Sequence, residues 1–225
     1  MIVTLILRQG SGYRLEFTVS AVELKGDITP MFNEIITISG SPGSGKSTVA
    51  KEIAKKLGAR RIYVGQIRRK IAKQKGMTLA QLNQYALTHP ETDINIDKKV
   101  AKQARALAKK NLVIVEGRTQ FYFIPESFKV YIKVSVKEGA RRIWNQLEKN
   151  TKSKALRNEG EYKSLNALIK DIKARIANDK ARYKKYYNID HTKENQYDLV
   201  VDTTKMSKAQ EIQKTLASIK NFLNK

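Results

Sequence analysis

The chain has 225 residues, 44 Lys plus Arg against 21 Asp plus Glu, and a formal charge of +23. That length suits one domain with an appendage, and that charge points to anionic partners without choosing among nucleotides, nucleic acid and acidic lipid. A 41% apolar content excludes a disordered basic tail, the lack of cysteine excludes disulfides and thiolate chemistry, and two histidines argue against a multi-histidine metal site.

Residues 1–30 carry three basic and three acidic side chains, so the whole +23 falls on the remainder. In this extension, Ile2 to Leu7 and Tyr13 to Val19 flank Gln9-Gly10-Ser11-Gly12, the pattern of a β-hairpin with a glycine turn. The alternative is that the functional unit opens at Met31. The apolar start has neither a basic n-region nor a small-residue cleavage site, so no signal peptide is expected. No apolar run reaches the ~18 residues of a membrane span. A cytoplasmic protein with no membrane partner is the expectation.

From Glu34 onward strand and helix alternate. Ile35, Ile36 and Ile38 predict a strand buried on both faces. A glycine loop follows, then Val49, Ile53 and Leu57 at helical spacing, ending at Gly58. Arg61 to Val64 is a second strand, and Ile67 to Lys109 reads as helix broken at Gly76 and at His89-Pro90, with Thr78 and Gln81 forming a capping box. Leu112 to Val115 and Val130 to Val134 are further buried strands. A helix from Val136 enters the polar stretch 149–163, and another runs from Leu165 to Tyr187. The strand Leu199-Val200-Val201 and a helix capped by Ser207 and Gln210 complete the chain. Such alternation predicts a parallel sheet with helices on both sides.

Gly40-Ser41-Pro42-Gly43-Ser44-Gly45-Lys46-Ser47 matches the phosphate-binding pattern G-x-x-x-x-G-K-[ST] at every fixed position, with a buried strand before it and a helix after it. Glycines let backbone N–H groups converge on phosphate oxygens, and the helix N-terminus adds its positive end. Gly40 to Thr48 are therefore the candidate ATP-binding segment, with Lys46 serving the β- and γ-phosphates and Ser47 as the Mg²⁺ ligand. No guanine-specific N-K-x-D run is present, which argues against a GTPase. The strand ending at Glu116 has the form of a Walker-B element.

Glu116-Gly117-Arg118 sits at a strand's C-terminal end, where open α/β sheets place ligands, so an acceptor phosphate is a natural partner for Arg118. A plain ion pair to Glu116 or to a neighbouring helix is the alternative. Arg175, Asp179 and Arg182 fall on one helix face by spacing, which by itself reads equally as a solvated ion-pair ladder.

With these segments in order, the chain resembles the short archaeal-type cytidylate kinases of the nucleoside monophosphate kinase family. The likeness covers about 34–222. It rests on Ile36 to Leu57, Val64-Gly65-Gln66-Ile67-Arg68-Arg69, Pro90 to Asp97, Val115 to Arg118, Arg175 to Tyr183, Tyr187 to Asp190 and Tyr197 to Thr203. The resemblance implies a three-layer P-loop α/β fold with a five-stranded parallel sheet, spanning 31–225. It implies an acceptor-binding region at about 65–110 and a lid at about 147–185. It implies transfer of the ATP γ-phosphoryl group to CMP or dCMP with Mg²⁺, in a monomer. It also implies that Arg69 and Arg118 hold the acceptor's phosphate, that Asp179 contacts its sugar, and that Arg175 and Arg182 neutralise the transferring group. Asp97, Thr119 and Arg175 are counted with them as acceptor-binding candidates, and Lys46 with Arg175 and Arg182 as catalytic ones.

The sequence departs from the family's pattern at Gln146, where many relatives carry arginine, and at Arg68, which replaces an aromatic residue. Thr119 stands in place of a bacterial base-reading aspartate, and Asn188 in place of glycine. Two other readings stay open: another nucleotide or small-metabolite kinase, although the adenylate-kinase Asp-Gly-Phe-Pro-Arg run is absent, and an RNA-associated ATPase motivated by the charge. Asp93 and Asp97 read either as acceptor-facing acids or as solvated helix surface. Tyr183, Tyr186 and Tyr187 read as a packing face ahead of a base-stacking surface.

Overall fold

The computed structural model describes residues 34–149 and 162–224. The expected N-terminal hairpin and most of the 149–163 stretch lie outside the described residues. Within them, five strands form one sheet: β1 Ile35–Gly40, β2 Arg60–Tyr63, β3 Val113–Glu116, β4 Phe128–Lys133 and β5 Leu199–Asp202. Their order is β2-β3-β1-β4-β5 and every pairing is parallel. The helices are α1 Lys46–Lys56, α2 Val64–Gln74, α3 Leu79–Tyr85, α4 Glu91–Ala108, α5 Gln120–Phe123, α6 Val136–Lys149, α7 Leu165–Tyr187 and α8 Lys208–Leu223.

Every residue of β1 and β3 is buried, which is why isoleucine and valine dominate both. Alternation along β1 divides the core into two layers. Ile36 and Ile38 pack with Val49 and Ile53 of α1 and Ile219 of α8. Ile35 packs on the opposite side with Val100, Ala101 and Ala104 of α4. The three-layer α/β expectation is met.

Boundaries moved where burial outweighed local pattern. The sequence reading carries the second strand through Val64, but Val64 opens α2 directly after Tyr63, since a helix buries its side chain against Val115 and Ile62 equally well. The third strand reaches Glu116, because polar partners wait for that carboxylate. The fourth begins at Phe128. The helical stretch read from Ile67 resolves into α2, α3 and α4, and the expected capping boxes at Thr78 and Ser207 are both formed. Asn188 caps α7 with φ +55°, the left-handed conformation that glycine or asparagine supplies, and its Oδ1 accepts from Lys184 Nζ at 2.6 Å.

The α6–α7 pair has a small core of its own. Ala140 and Ile143 meet Leu168 and Ile172, with Trp144 packed at the edge of this cluster and not in the main core. Tyr183 and Tyr187 are buried and Tyr186 donates to the carbonyls of Ala86 and Leu87, so the tyrosine run is a packing face. Among the described residues, no helix is long and apolar enough to cross a membrane.

Candidate active site

β1 lies between β3 and β4 in the sheet, so the chain leaving its C-terminal end enters the crevice where open parallel sheets bind ligands. The loop after it turns into α1 at Lys46, with Gly45 as the N-cap at φ +83°. A side chain at Gly45 would also collide with Glu211, whose Oε2 stands 2.6 Å from where a Cβ would lie. Gly40 through Thr48 all line one cleft.

Glu116, the last residue of β3, reaches the foot of this loop and is fully buried. Its Oε1 takes Lys46 Nζ at 2.7 Å and Ser47 Oγ at 2.5 Å, and its Oε2 pairs with Arg61 of β2. Burial pushes this carboxyl's pKa up. The Lys46 charge and the bonds from Lys46, Ser47 and Arg61 outweigh it and leave the group below the ordinary glutamate range. Glu116 thus stays ionised. Ser47 and Glu116 supply two hard oxygen ligands, which fits Mg²⁺, an ion that takes few protein oxygens and completes its shell with phosphate and water. Among the described residues, no group of three or more His, Asp or Glu side chains forms a self-sufficient metal cluster.

A second acid braces the same loop from α8. Glu211 is buried and its Oε1 accepts from Arg142 Nη1 at 2.7 Å. Arg142, on α6, also donates to the carbonyls of Thr203 at 2.6 Å and Met206 at 3.3 Å. Thr203 Oγ1 in turn donates to the Ser44 carbonyl at 3.3 Å. The loop is therefore tied to α6 and α8 through side chains that no sequence motif marked.

The other wall of the cleft is built from charge. Arg69 and Arg68 come from α2, Arg118 and Thr119 from the segment after β3, and Arg175 and Arg182 from α7, and all six line the cleft. Arg182 is 1% exposed, with Nη1 3.0 Å from Asp93 Oδ2 and Nη2 2.5 Å from Asp179 Oδ1. Arg118 Nη1 lies 2.7 Å from Asp179 Oδ2, and Arg68 pairs with Asp93 and donates to Asn83 Oδ1 at 2.9 Å. Two buried aspartates thus hold three arginines from three segments. Burial raises the Asp179 pKa, but Arg118, Arg182 and Arg175 bring it down to about 2. Asp97 is held mainly by hydrogen bonds, with the Arg68 charge acting on it from a distance. It accepts from Thr119 Oγ1 and Gln120 Nε2, each at 2.8 Å, and from Tyr187 Oη at 3.1 Å, while burial lifts its pKa to about 6.

The structure brings together nearly every candidate residue. Asp97 and Thr119 form one hydrogen-bonded pair on the cleft wall, and the reading of Asp93 and Asp97 as solvated surface is replaced by burial. Asp179 is the exception among the candidates: it does not line the cleft but lies beneath it, on Arg118 and Arg182. Arg118 combines its two alternatives, facing the cleft and pairing with a neighbouring helix. Gln146, where many relatives carry arginine, lines the cleft beside Arg141 and Arg142. The sequence reading missed Arg61, Tyr63 and the Arg142–Glu211 pair. For Glu116 it had the strand-end signal but did not count the residue in the site.

A glycine phosphate loop on a parallel sheet, facing an arginine-rich wall across one cleft, defines a P-loop phosphotransferase whose acceptor also carries phosphate. A family model described as an AAA domain matches residues 36–166. The cytidylate kinase of Methanothrix thermoacetophila is 34% identical over 186 residues, covering 83% of this chain and 98% of that protein. The cytidylate kinase of Methanocella arvoryzae is 36% identical over 171 residues, covering 76% and 88%. The chain belongs to the cytidylate kinase family. Shikimate kinase from Bacteroides thetaiotaomicron shares the fold at TM-score 0.52 and 17% identity, over 85% of this chain and 99% of that one.

Proposed function

We propose that the protein transfers the ATP γ-phosphoryl group to CMP or dCMP, giving ADP and the pyrimidine diphosphate. The observation that carries this reading is the placement of Arg69, Arg118 and Arg175 on the wall opposite Lys46 and Ser47 in one cleft, in a chain of this family. An oxygen of the acceptor's phosphate attacks the γ-phosphorus, and the bond from that phosphorus to the β–γ bridging oxygen breaks. The electron pair leaves with ADP. The attacking oxygen is already ionised near neutral pH, since the second pKa of such a phosphate is about 6. No side chain has to remove a proton, and none is assigned to do so.

Catalysis then reduces to placement and charge. Loop N–H groups and Lys46 hold the donor phosphates, while Arg69 and Arg118 hold the acceptor's phosphate. Arg175 and Arg182 approach from α7 and neutralise the charge that develops between the two. Mg²⁺, held by Ser47 and Glu116, would supply further neutralisation of the β- and γ-oxygens. Asp97, through Thr119, shapes the acceptor's base pocket. Residues 31–225 form the kinase unit, with 65–110 carrying the acceptor region and 147–185 the lid. Both nucleotide sites come from one chain, which supports a monomer, and the cysteine-free composition supports a cytoplasmic setting.

A coupled ADP-release assay over CMP, dCMP, UMP and AMP tests the reading. Turnover greatest with a cytosine monophosphate is expected. Absence of turnover with every monophosphate would overturn it.

A further inference from the structure

Tyr63 ends β2, and none of the phosphate-loop, Gly-Arg or lid motifs gives it a role. Its ring lies against two guanidinium groups, Arg61 with Cζ 4.8 Å and Arg69 with Cζ 5.5 Å from the ring centroid. Its phenol oxygen accepts from Arg69 Nη1 at 2.8 Å and lies 3.5 Å from Ser47 Oγ, whose own proton is committed to Glu116 at 2.5 Å. On the other side the ring meets backbone: a Cβ on Gly65 would stand 2.7 Å from Tyr63 Cε2. The ring therefore has little freedom to swing, and its oxygen is fixed between a residue of the donor half and a residue of the acceptor half. A phenol oxygen that accepts from Arg69 Nη1 at 2.8 Å makes a charge-assisted hydrogen bond, the stronger kind.

We propose that Tyr63 is a positioning residue that fixes Arg69 for the acceptor phosphate and ties its position to Ser47, so that a filled donor side improves acceptor binding. The proposal rests on the phosphoryl-transfer reading above. A guanidinium oriented by a rigid phenol has fewer rotamers to lose when it meets a phosphate, and that saving appears as affinity. The phenol oxygen lies 3.5 Å from Ser47 Oγ, the hydroxyl that would help hold Mg²⁺, so the oxygen that holds Arg69 is also the neighbour of a donor-side ligand. Tyr63 thus links one half's occupancy to the other half's geometry.

Tyr63→Phe keeps the ring and both cation–π contacts and removes only the oxygen. In steady-state kinetics with CMP and ATP, it is expected to raise the CMP KM by about tenfold, the loss of one hydrogen bond to a charged group. ATP affinity measured without CMP and the melting temperature should stay near wild type, while ATP binding in the presence of CMP should weaken by the coupling lost. Calorimetric titration of CMP, with and without a non-hydrolysable ATP analogue, should show a smaller enhancement by the analogue than in wild type. Arg69→Lys leaves the ring in place. It should raise the CMP KM similarly, and its effect should fail to add to that of Tyr63→Phe. A CMP KM within twofold of wild type for Tyr63→Phe, an undiminished enhancement, or full additivity overturns the proposal. A wild-type protein inactive with every monophosphate overturns the kinase reading and this inference together. An active wild type with an unaffected Tyr63→Phe variant overturns this inference alone.

Discussion

The donor and acceptor walls of the cleft hold anions by different means. The donor wall is mostly backbone: a loop of eight consecutive residues whose glycines and helix N-terminus do the binding, with Lys46 and Ser47 as its working side chains. The acceptor wall is almost wholly side chain, gathered from α2, α4, α7 and the turn after β3, and aligned by buried aspartates. A backbone site is rigid because the fold is rigid. A side-chain site is only as rigid as the ion pairs that hold it, so on the proposed reading stability and catalysis in the acceptor wall would depend on the same residues.

The largest expected effect separates the two walls. Lys46→Ala should lower kcat by about 10³-fold, in the range of losing a key charge stabiliser, with the melting temperature near wild type because Arg61 and Ser47 remain on Glu116. Circular dichroism melting alongside the coupled assay checks both halves of that statement. Arg182→Ala should reduce kcat more than it raises either KM, but here the fold suffers too. Removing one partner of a buried ion pair costs about 3–5 kcal/mol, and for a chain of this size that lowers the melting temperature by about 10 °C. An Arg182→Ala variant that melts with wild type would break the comparison, since it would show that the aspartates do not depend on their arginines.

Smaller effects sharpen it. Glu211→Gln weakens the tie from α8 and α6 to the phosphate loop, so the ATP KM should rise by about tenfold while the CMP KM holds, because small misplacements of a binding loop are costly. Equal change in both would mean that the brace serves the whole cleft. Within the acceptor wall, Asp97 and Asp179 should respond oppositely to acid. Asp97's pKa is raised from 3.8 to about 6, so the native state holds the extra proton and this group's contribution to stability falls as pH rises from about 4 through 6. Asp179's pKa is lowered to about 2, so its contribution is full above the ordinary value of 3.8 and is lost as pH falls toward 2. Urea melts of wild type, Asp97→Asn and Asp179→Asn across that range read both slopes. In activity, the acceptor kcat/KM should drop below about pH 6 as Asp97 loses the charge that anchors Thr119. The acceptor phosphate also takes up its second proton near pH ~6, so Asp97→Asn should make that drop shallower without abolishing it.

What the sequence made legible follows the same division. The phosphate loop is contiguous, so spacing alone exposes it. The strands of the sheet and the boxes at Thr78 and Ser207 are equally local, and each was readable from a handful of neighbours. The contacts of Arg182 with Asp93 and of Arg142 with Glu211 join residues 89 and 69 positions apart, brought together only by parallel crossovers. Periodicity carries no record of such meetings. Arg61 and Tyr63 look like any residues of a short strand, and Asp93 could be read as acceptor-facing or as surface because α4 carries charged residues along most of its length. Only burial distinguishes them.

Asp93 and Asp179 bear on turnover as well as on folding. Arg68, Arg118 and Arg182 line the cleft already paired with these carboxylates, so on the proposed reading an incoming monophosphate would compete with an anion that is part of the protein. Net affinity is then the difference between two anions and not the full strength of either. When the diphosphate departs, each arginine returns to a resident anion instead of to bare water. On the proposed reading, the two aspartates would be resident anions to which the arginines return, keeping the wall's shape ready for the next acceptor.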